Sequence, residues 1–326
     1  MGNWIVRADV LARSRFAISP LAETVSALLG LAGLDDGLVQ QALARPQRDA
    51  YRRHVAAHPV AAALVPAAFQ ATYTADFITT PPYAGDRTIH DELRRVRETP
   101  APVAAADLRF CLGRPLPPVL DGPDLAQHAA DLLEWVWTHA VRPDWPRRRA
   151  LLEADIVART QRLSSGGWAA ALAGMRPGMR WLGDGQLRIN AYDNPPRDLR
   201  DAQLSFVPTT SSGGRADWDE PDHYAIVYPS QGLLADTRAA APPEALAALI
   251  GAARARILVL LAAPASTTQL VAVTGYTLGS VGGHLRVLLD AGLIRRRRSG
   301  RSVLYYRTPA GDQLMEAPPV SPAGGR

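Results

Sequence analysis

Residues 277–307 read TLGSVGGHLRVLLDAGLIRRRRSGRSVLYYR, and this stretch decides the fold that we expect. Thr277 is a suitable N-cap and Gly292 stands just past a last turn, so the stretch predicts a helix over about 277–291. A helical rotation of about 100° per residue gives this helix one apolar face, which should pack on other helices. That face consists of Leu278, Val281, Leu285, Leu288 and Leu289.

An arginine-loaded hairpin is predicted directly after this helix, over about 293–307. Arg295–Arg298 form a charge run, Ser299-Gly300 supplies the turn, and Arg301 follows it. Guanidinium groups on so small a hairpin repel one another unless they face phosphates or solvent. A solvated hairpin without a partner is the alternative interpretation. The helix in front of it favours a contact with DNA phosphates, which would make binding strongly salt-dependent.

Three shorter helices are predicted upstream, over 244–250, 253–262 and 269–274, and Gly275-Tyr276 forms the turn before the longer helix. Helices in this order followed by a hairpin form a winged helix-turn-helix. In such a domain the recognition helix enters the major groove of DNA with its N-terminal residues. The recognition helix is therefore expected at about 277–291 and the wing at about 293–307.

The candidate DNA-binding residues lie on the exposed side of this helix and on the hairpin. The helix positions expected at bases or close to the groove are Gly279, Ser280, Gly283 and Arg286. The positions expected at phosphates are Thr277, His284, Arg297, Arg298 and Arg301.

Residues 244–311 resemble the winged-helix domain of the ArsR family of bacterial transcriptional regulators. The resemblance rests on residues 253–261 (ARARILVLL), 266–270 (STTQL), 281–294 (VGGHLRVLLDAGLI) and 298–306 (RSGRSVLYY). It covers about a fifth of the chain. More loosely, residues 15–25 and 145–156 resemble the uncharacterised domain that precedes such a wing in some regulators of high-GC bacteria. The resemblance implies a homodimer that binds an operator in double-stranded DNA, and we expect a repressor.

Two departures limit what the resemblance implies. Metal-sensing members carry cysteines in the third helix or His and Asp ligands on a C-terminal helix, whereas residues 267–273 (TTQLVAV) contain no cysteine. Relatives often have Ser where Gly282 stands. The metal-responsive mechanism therefore does not carry over, and we expect no metal and no cofactor.

The composition indicates a globular chain of about two domains. It has 326 residues, of which 47% are hydrophobic and 21% charged. The net charge is +5, but residues 244–311 alone hold nine arginines against two acids, so the remainder is slightly acidic. Basic charge confined to one domain is typical of a protein in which that domain meets a polyanion. No lysine occurs; all 36 basic residues are arginine.

A cytoplasmic location without membrane contact is expected. Cys111 is the single cysteine, so no intramolecular disulfide can form. Arg7, Asp9 and Arg13 interrupt any signal-peptide pattern near the N-terminus. The longest apolar runs are too short to cross a bilayer.

The predicted fold class is α+β: a mostly helical N-terminal domain with a small β-sheet, followed by the winged helix-turn-helix domain. The boundaries are 1–235 for the N-terminal regulatory or dimerisation domain, 236–243 for a linker, 244–311 for the DNA-binding domain and 312–326 for a flexible tail. Helices are predicted from Ser19-Pro20 to Gly33, over 47–57, 60–72 and Thr88–Glu98, from Asp124 to Ala140, and from Asp144 to Gly166-Gly167. Strands are predicted over Trp4–Val10, Leu187–Asn190, Gln203–Pro208 and His223–Tyr228, with a polar loop over Ser211–Glu220.

Other residue clusters are interpreted structurally. His54 and His58 have metal-ligand spacing, but no third ligand is evident. His90 and His128 are interpreted as parts of polar helix faces, and Trp135, Trp137 and Trp145 as core residues. No catalytic residue is predicted. The alternative function is a ligand-sensing or enzymatic N-terminal domain that uses the wing as a control module, with an unknown small molecule as effector. A pure dimerisation scaffold also stays open.

Overall fold

The structure, a computed structural model, describes residues 2–35, 37–192, 195–230, 244–261, 265–274, 276–299 and 302–316. The chain divides into two compact units. The first comprises Met1–Leu152 and Arg159–Ser230, and the second Glu153–Ala158 and Gln231–Arg326. Helices and small sheets occur together, which confirms the predicted mixture of the two kinds of element.

Nine α-helices are described up to residue 172, and two of them, α2 and α6, begin with a side-chain cap. They are α1 (Ala8–Arg13), α2 (Pro20–Ala32), α3 (Leu38–Ala44), α4 (Arg48–Ala57), α5 (Pro59–Ala68), α6 (Ile89–Glu98), α7 (Ala101–Leu112), α8 (Leu125–Val136) and α9 (Trp145–Leu172). The Ser19 side chain caps α2 by accepting from the Ala22 N–H at 2.9 Å. Thr88 and Asp91 form a reciprocal capping box on α6. A π-helical turn, Trp137–Val141, extends α8, and Gly166 and Gly167 break the helical geometry of α9.

Two four-stranded sheets complete the first unit. The first has the order β3-β4-β1-β5 and consists of β1 (Asn3–Ile5), β3 (Arg180–Gly183), β4 (Gln186–Arg188) and β5 (Arg197–Asp198). The second has the order β2-β6-β8-β7 and consists of β2 (Arg15–Phe16), β6 (Gln203–Thr209), β7 (Arg215–Asp219) and β8 (His223–Pro229). β6 and β8 run parallel, with Phe206 opposite Ile226, and both strands are buried along most of their length.

Several predictions for the first unit are wrong in detail. The predicted helix 60–72 ends at Ala68, and α3 and α7 were not predicted. The predicted strand Trp4–Val10 ends at Ile5, and α1 follows it. The predicted polar loop Ser211–Glu220 contains β7, which pairs antiparallel with β8. Its charges are tolerated because Arg215 Nε donates to both carboxylate oxygens of the buried Asp217, at 2.9 and 3.0 Å.

A buried ion pair joins α2 to α9 and to the loop after β6. Glu23 is 0% exposed and Arg148 2% exposed, and their Oε1 and Nη1 atoms lie 2.7 Å apart. Glu23 also accepts from the Thr210 N–H at 2.9 Å and from the Thr210 hydroxyl at 2.6 Å. Arg148 Nη2 donates to the Ala140 carbonyl at 3.2 Å. The carboxylate therefore exchanges its hydration for charged and neutral donors.

Five helices and a three-stranded sheet are described in the second unit between residues 244 and 316. They are α10 (Glu244–Ile250), α11 (Ala252–Leu260), β9 (Ala265–Ser266), α12 (Thr267–Thr274), α13 (Leu278–Asp290), β10 (Ile294–Ser299), β11 (Ser302–Arg307) and α14 (Pro309–Glu316). The sheet order is β10-β11-β9, all antiparallel. α14 extends past residue 311, which is the predicted end of the DNA-binding domain. The predicted linker 236–243 and residues 317–326 of the predicted tail lie outside the described residues.

Membrane-spanning helices were sought throughout the described ranges. None of the helices found there combines the length and the apolar character that crossing a bilayer requires.

Replacing Arg148 by Met should destabilise the first unit strongly. The Glu23 carboxylate would stay buried without its cation, which costs about 3–5 kcal/mol in the free energy of unfolding. All seven tryptophans lie between Trp4 and Trp218, within the first unit, so urea unfolding followed by tryptophan fluorescence measures this value. Arg147→Met, at an exposed neighbouring position, is the control and should change it by less than about 0.5 kcal/mol. Equal unfolding midpoints for the two variants would contradict the assigned role of the ion pair.

The first unit should lose stability as the pH rises from 5 to 7.5. Burial raises the pKa of Glu92 from 4.5 to about 7, so between these values the folded state holds a proton that the unfolded chain has released. Unfolding then releases a proton, and raising the pH favours it. Glu92→Gln keeps an acceptor for the Leu21 N–H and has no such proton. This variant should lose less unfolding free energy between pH 5 and 7.5 than the wild type, by an amount on the order of 1–3 kcal/mol.

Tryptophan-monitored urea unfolding at a series of pH values measures this dependence. Some slope should remain in Glu92→Gln, because burial also raises the pKa of Asp76 to about 8 and that of Asp217 to about 6. The exposed Glu98→Gln is the control and should keep the wild-type slope. If Glu92→Gln also kept it, Glu92 would not be the titrating group.

Candidate nucleic-acid interface

α13 begins with a side-chain cap, and hydrogen bonds of Thr274 order the turn that joins it to α12. The Thr277 side chain accepts from the Ser280 N–H at 3.3 Å. One turn earlier, the Thr274 hydroxyl donates to the Leu270 carbonyl at 2.7 Å and accepts from the Tyr276 N–H at 3.2 Å. Gly275, the predicted turn glycine, lies outside the described residues. These bonds fix the direction in which α13 leaves the turn.

The packed face of α13 is narrower than predicted. Val281, Leu285 and Leu288 are buried, as the helical spacing predicts, and Leu289 is half-buried. Leu278 was predicted on this face and is instead 62% exposed. It is the first residue of the helix, so the packed face of α13 begins only at Val281.

The opposite face of α13 is exposed and carries the predicted contact residues. Gly279, Gly283 and Arg286 follow one another along this face, and all three are exposed. Ser280 is also exposed, and its Oγ lies 3.3 Å from Nε2 of His284. His284 is half-buried and meets the Tyr276 ring edge-on at 6.2 Å between centroids. The structure therefore brings Ser280 and His284 together as one polar pair.

The glycines of α13 are not needed for packing. A Cβ atom added at Gly279, Gly282 or Gly283 would meet nothing within 4 Å. Alanine at each position would favour the helix by about 1 kcal/mol. The missing side chains therefore stabilise nothing in the described part of the chain, and their effect is to leave a bare backbone surface that a partner can approach closely.

The hairpin β10–β11 displays four exposed guanidinium groups. Cross-strand pairs set Arg295 opposite Tyr306 and Arg298 opposite Val303. Because side chains alternate along a strand, Arg295 and Arg297 project from one face and Arg296 and Arg298 from the other. The Arg295 guanidinium lies 5.6 Å from the Tyr306 ring centre, a cation–π contact. All four side chains are exposed.

None of these cations is neutralised within the described residues. Arg286 and Arg295–Arg298 form no ion pair with any carboxylate there. Arg307, at the end of the same hairpin, differs. Its Nε lies 3.5 Å from Asp312, and its Nη2 donates to the Val259 carbonyl at 3.5 Å. Arg301, a predicted phosphate contact, lies outside the described residues.

The base of the hairpin is held against the end of α13. Thr308 donates from its hydroxyl to the Gly292 carbonyl at 2.7 Å and from its N–H to the Leu293 carbonyl at 3.0 Å. Gly292 takes a positive φ of 68°, which favours glycine. A side chain at Gly311 would collide with the Leu293 carbonyl oxygen. The hairpin is therefore anchored at its base, beside Gly292 and Leu293.

Sequence reasoning missed three exposed residues of this surface. Leu278 was assigned to the core because its spacing fits the apolar face. Arg295 and Arg296 belong to the visible charge run but were not among the predicted contacts. Their exposure equals that of Arg297 and Arg298, so the sequence signal for all four was the same.

Three histidines of the first unit, His54, His58 and His139, form an aromatic cluster with Trp135. The His54 and His139 rings each stack on the Trp135 ring, at 4.4 and 4.5 Å between centroids. The His58 ring lies 4.3 Å from the His54 ring. Burial lowers the pKa of His54, and the neighbouring His58 and His139 lower it further. Across the described ranges, no group of three or more His, Cys, Asp or Glu side chains is placed to hold a metal ion.

Comparison with protein-family models, with curated proteins and with solved structures finds no match to this chain.

Proposed function

We propose that the chain is a sequence-specific, DNA-binding transcriptional regulator whose residues 244–311 act as a winged helix-turn-helix. In this proposal α13 is the recognition helix and the β10–β11 hairpin is the wing. The order of elements from α10 to β11 supports it, as does the connection of α13 to the hairpin through residues 291–293. The resemblance of this segment to ArsR-type regulators supports it independently of the geometry.

The row of uncompensated guanidinium groups on β10 carries the proposal. Four adjacent like charges on a short strand raise the free energy of the folded hairpin, and no carboxylate among the described residues offsets this. Phosphate oxygens offset it well, because a guanidinium offers them a planar fork of donors. The alternating directions of the side chains allow the hairpin to reach phosphates on both of its faces.

The N-terminal half of α13 is the part best suited to reading bases. Arg286 can make paired hydrogen bonds to guanine, and Ser280 can bond a base edge or a phosphate. The exposed Leu278 adds an apolar side chain that suits a thymine methyl group. Asp290 lies at the other end of the same face, and its charge would repel phosphates there. The helix should therefore enter the groove with its N-terminus first.

We propose a homodimer as the DNA-bound form. One recognition helix reads only a few base pairs, whereas two related by a two-fold axis read a pseudo-palindromic operator with far greater specificity. A dimer bound at a promoter blocks it by occupancy alone, so repression requires no further activity of the chain.

Ligand sensing by the first unit is a second candidate function. A cavity lined by charged and aromatic side chains favours it. Catalysis has less support. None of His54, His58, His90 and His128 is among the residues that line this cavity, and burial raises the pKa of Cys111 to about 12, which keeps it a thiol.

Replacing Arg297 and Arg298 by Ala should weaken binding to every DNA sequence by a similar factor. Each lost phosphate contact should reduce the slope of log K against log salt by about 0.9. The double variant should therefore bind with a slope shallower by about 2. Fluorescence anisotropy of a labelled duplex over a series of salt concentrations measures both quantities.

A matched control is available in the first unit. Arg45→Ala with Arg114→Ala removes the same charge from exposed positions and should leave the salt slope unchanged. Circular dichroism of both double variants checks that they fold. If the hairpin variant kept the wild-type slope, its arginines would not contact phosphate.

Replacing Arg286 by Ala should relax sequence preference rather than weaken all binding. Sites are first selected from random duplexes with the intact protein. Affinity for a selected site should then fall by about 1–3 kcal/mol, with a smaller loss on a scrambled duplex. Failure to select any motif would contradict sequence-specific binding.

Gly283→Ala and Gly282→Ala form a matched pair within the same helix. Both should stabilise α13 equally, since neither added methyl meets a neighbour. Only Gly283 lies on the face opposite the core, so Gly283→Ala should weaken binding to the selected site more than Gly282→Ala does. Equal effects would place the groove against another face of α13.

A further inference from the structure

A cavity of about 890 Å³ lies wholly within the first unit. Its wall combines β1, the segment after α5, the start of β7 and the turn after α9. The volume is within the range of sites that enclose small organic molecules. No residue of the proposed DNA-binding surface takes part in it.

Aromatic rings are concentrated in this cavity wall. Trp4, Tyr73, Phe110, Tyr192 and Trp218 all line it. Phe110 is 68% exposed. Its ring and the Tyr73 ring meet in a T-shaped contact, with 4.6 Å between centroids. An exposed phenyl group beside a cavity is energetically unfavourable in water, and a flat apolar ligand would cover it.

Three arginines line the same cavity, but two of them already have anionic partners. Arg215 donates from Nε to Asp217 at 2.9 Å. Arg197 pairs with Glu220, and its guanidinium lies 4.2 Å above the Trp218 ring. Arg176 differs, because its Nη1 atom is buried and has no hydrogen-bond partner in the described part of the chain. Burial lowers the pKa of Arg176, which marks an under-solvated cation.

Asp76 is the one carboxyl group among the described lining residues, and at neutral pH it does not cancel the charge of Arg176. Burial raises the pKa of Asp76 to about 8, the Tyr73 hydrogen bond opposes the rise, and the nearby Asp107 carboxyl adds to it. The Tyr73 hydroxyl donates to Asp76 at 2.6 Å. Asp76 is therefore mainly protonated at pH 7, and the cavity keeps its positive potential.

An unused acceptor accompanies the unused donor. Asn3 lines the cavity from β1, and its Oδ1 atom is buried and has no hydrogen-bond partner among the described residues. A buried polar atom without a partner costs about 1–3 kcal/mol. A ligand that accepts from Arg176 and donates a hydroxyl or N–H to Asn3 would satisfy both atoms.

We propose that this cavity is a binding site for a small aromatic carboxylate that also carries a hydrogen-bond donor. The carboxylate binds the Arg176 guanidinium, the ring lies among Trp218, Tyr73 and Phe110, and the donor binds Asn3. Arg197 and Arg215 already form ion pairs, whereas Arg176 forms none among the described residues and has the buried Asp217 carboxyl nearby. A single cation of this kind suits a singly charged carboxylate better than a phosphate dianion. The inference goes beyond DNA binding and supplies the kind of chemical input that a regulator needs.

The test measures ligand binding to the intact chain in the absence of DNA. The probes are 4-hydroxybenzoate and indole-3-acetate, each compared with its neutral amide, 4-hydroxybenzamide or indole-3-acetamide. Cyclohexanecarboxylate and inorganic phosphate test the ring and the anion type separately. At a concentration 100-fold above its Kd, an acid that binds should raise the Tm of the tryptophan-monitored transition by about 5–10 °C. The amides, cyclohexanecarboxylate and phosphate should raise it much less.

Two variants test the assigned contacts. Arg176→Gln should weaken the acids at least about tenfold, since a charge-assisted hydrogen bond is lost. Arg180→Gln removes an exposed charge outside the lining and should bind as the wild type does. Phe110→Ala should also weaken binding, and its folding is secure because the side chain lies mainly in solvent.

The outcomes separate clearly. No Tm shift with either acid overturns the proposal, as does equal binding of acids and amides. Equal affinity of Arg176→Gln and Arg180→Gln overturns the role of Arg176. If Arg176→Gln fails to fold, the acid–amide comparison and Phe110→Ala decide. Because no DNA is present, any of these failures leaves the DNA-binding proposal untouched.

Discussion

The first unit depends on a carboxylate that has no access to water. Glu23 lies inside α2 and is stable there only because Arg148 and two donors of Thr210 surround it. The next buried carboxylate, Asp35, accepts from the hydroxyl of Ser211 at 2.6 Å and from the N–H of Ser212 at 3.0 Å. These two acids fix the loop after β6, and that loop leads directly into Arg215 and the cavity wall. The position of Arg215 in the cavity wall thus depends on the hydrogen bonds that Glu23 and Asp35 make with the loop after β6.

Local signals in the sequence were sufficient for most helices. Ser19-Pro20 and Thr88 with Asp91 each satisfy the free N–H groups of the helix they begin, so the start of α2 and of α6 could be predicted within one residue. β7 could not, because a strand written Arg-Ala-Asp-Trp-Asp has no apolar alternation. It exists because β8 pairs with it and because Arg215 and Asp217 neutralise each other. Such long-range compensation leaves no local pattern.

The two proposed sites differ in how far they could be predicted from the sequence. Arg295–Arg298 are adjacent in the chain, so their clustering was predictable, but the absence of ion pairs between them and the described carboxylates was not. Arg307 lies on the other strand of the same hairpin and is nevertheless bound by Asp312 and by the Val259 carbonyl. The cavity residues Asn3, Tyr73, Arg176 and Trp218 are scattered over more than 200 positions and meet only in the folded unit. Neither hydrophobic periodicity nor motif spacing can reveal such a group.

The cationic hairpin has a chemical consequence that follows from its having guanidinium groups alone. A guanidinium keeps its proton at any acidity that a cell tolerates, so the charge of β10 is constant. The chain contains no lysine, and acylation of side-chain amines therefore cannot remove charge from this surface either. If the hairpin binds DNA as proposed, control of that binding has to come from something other than acylation of its side chains, such as competing polyanions, ionic strength or a change elsewhere in the protein.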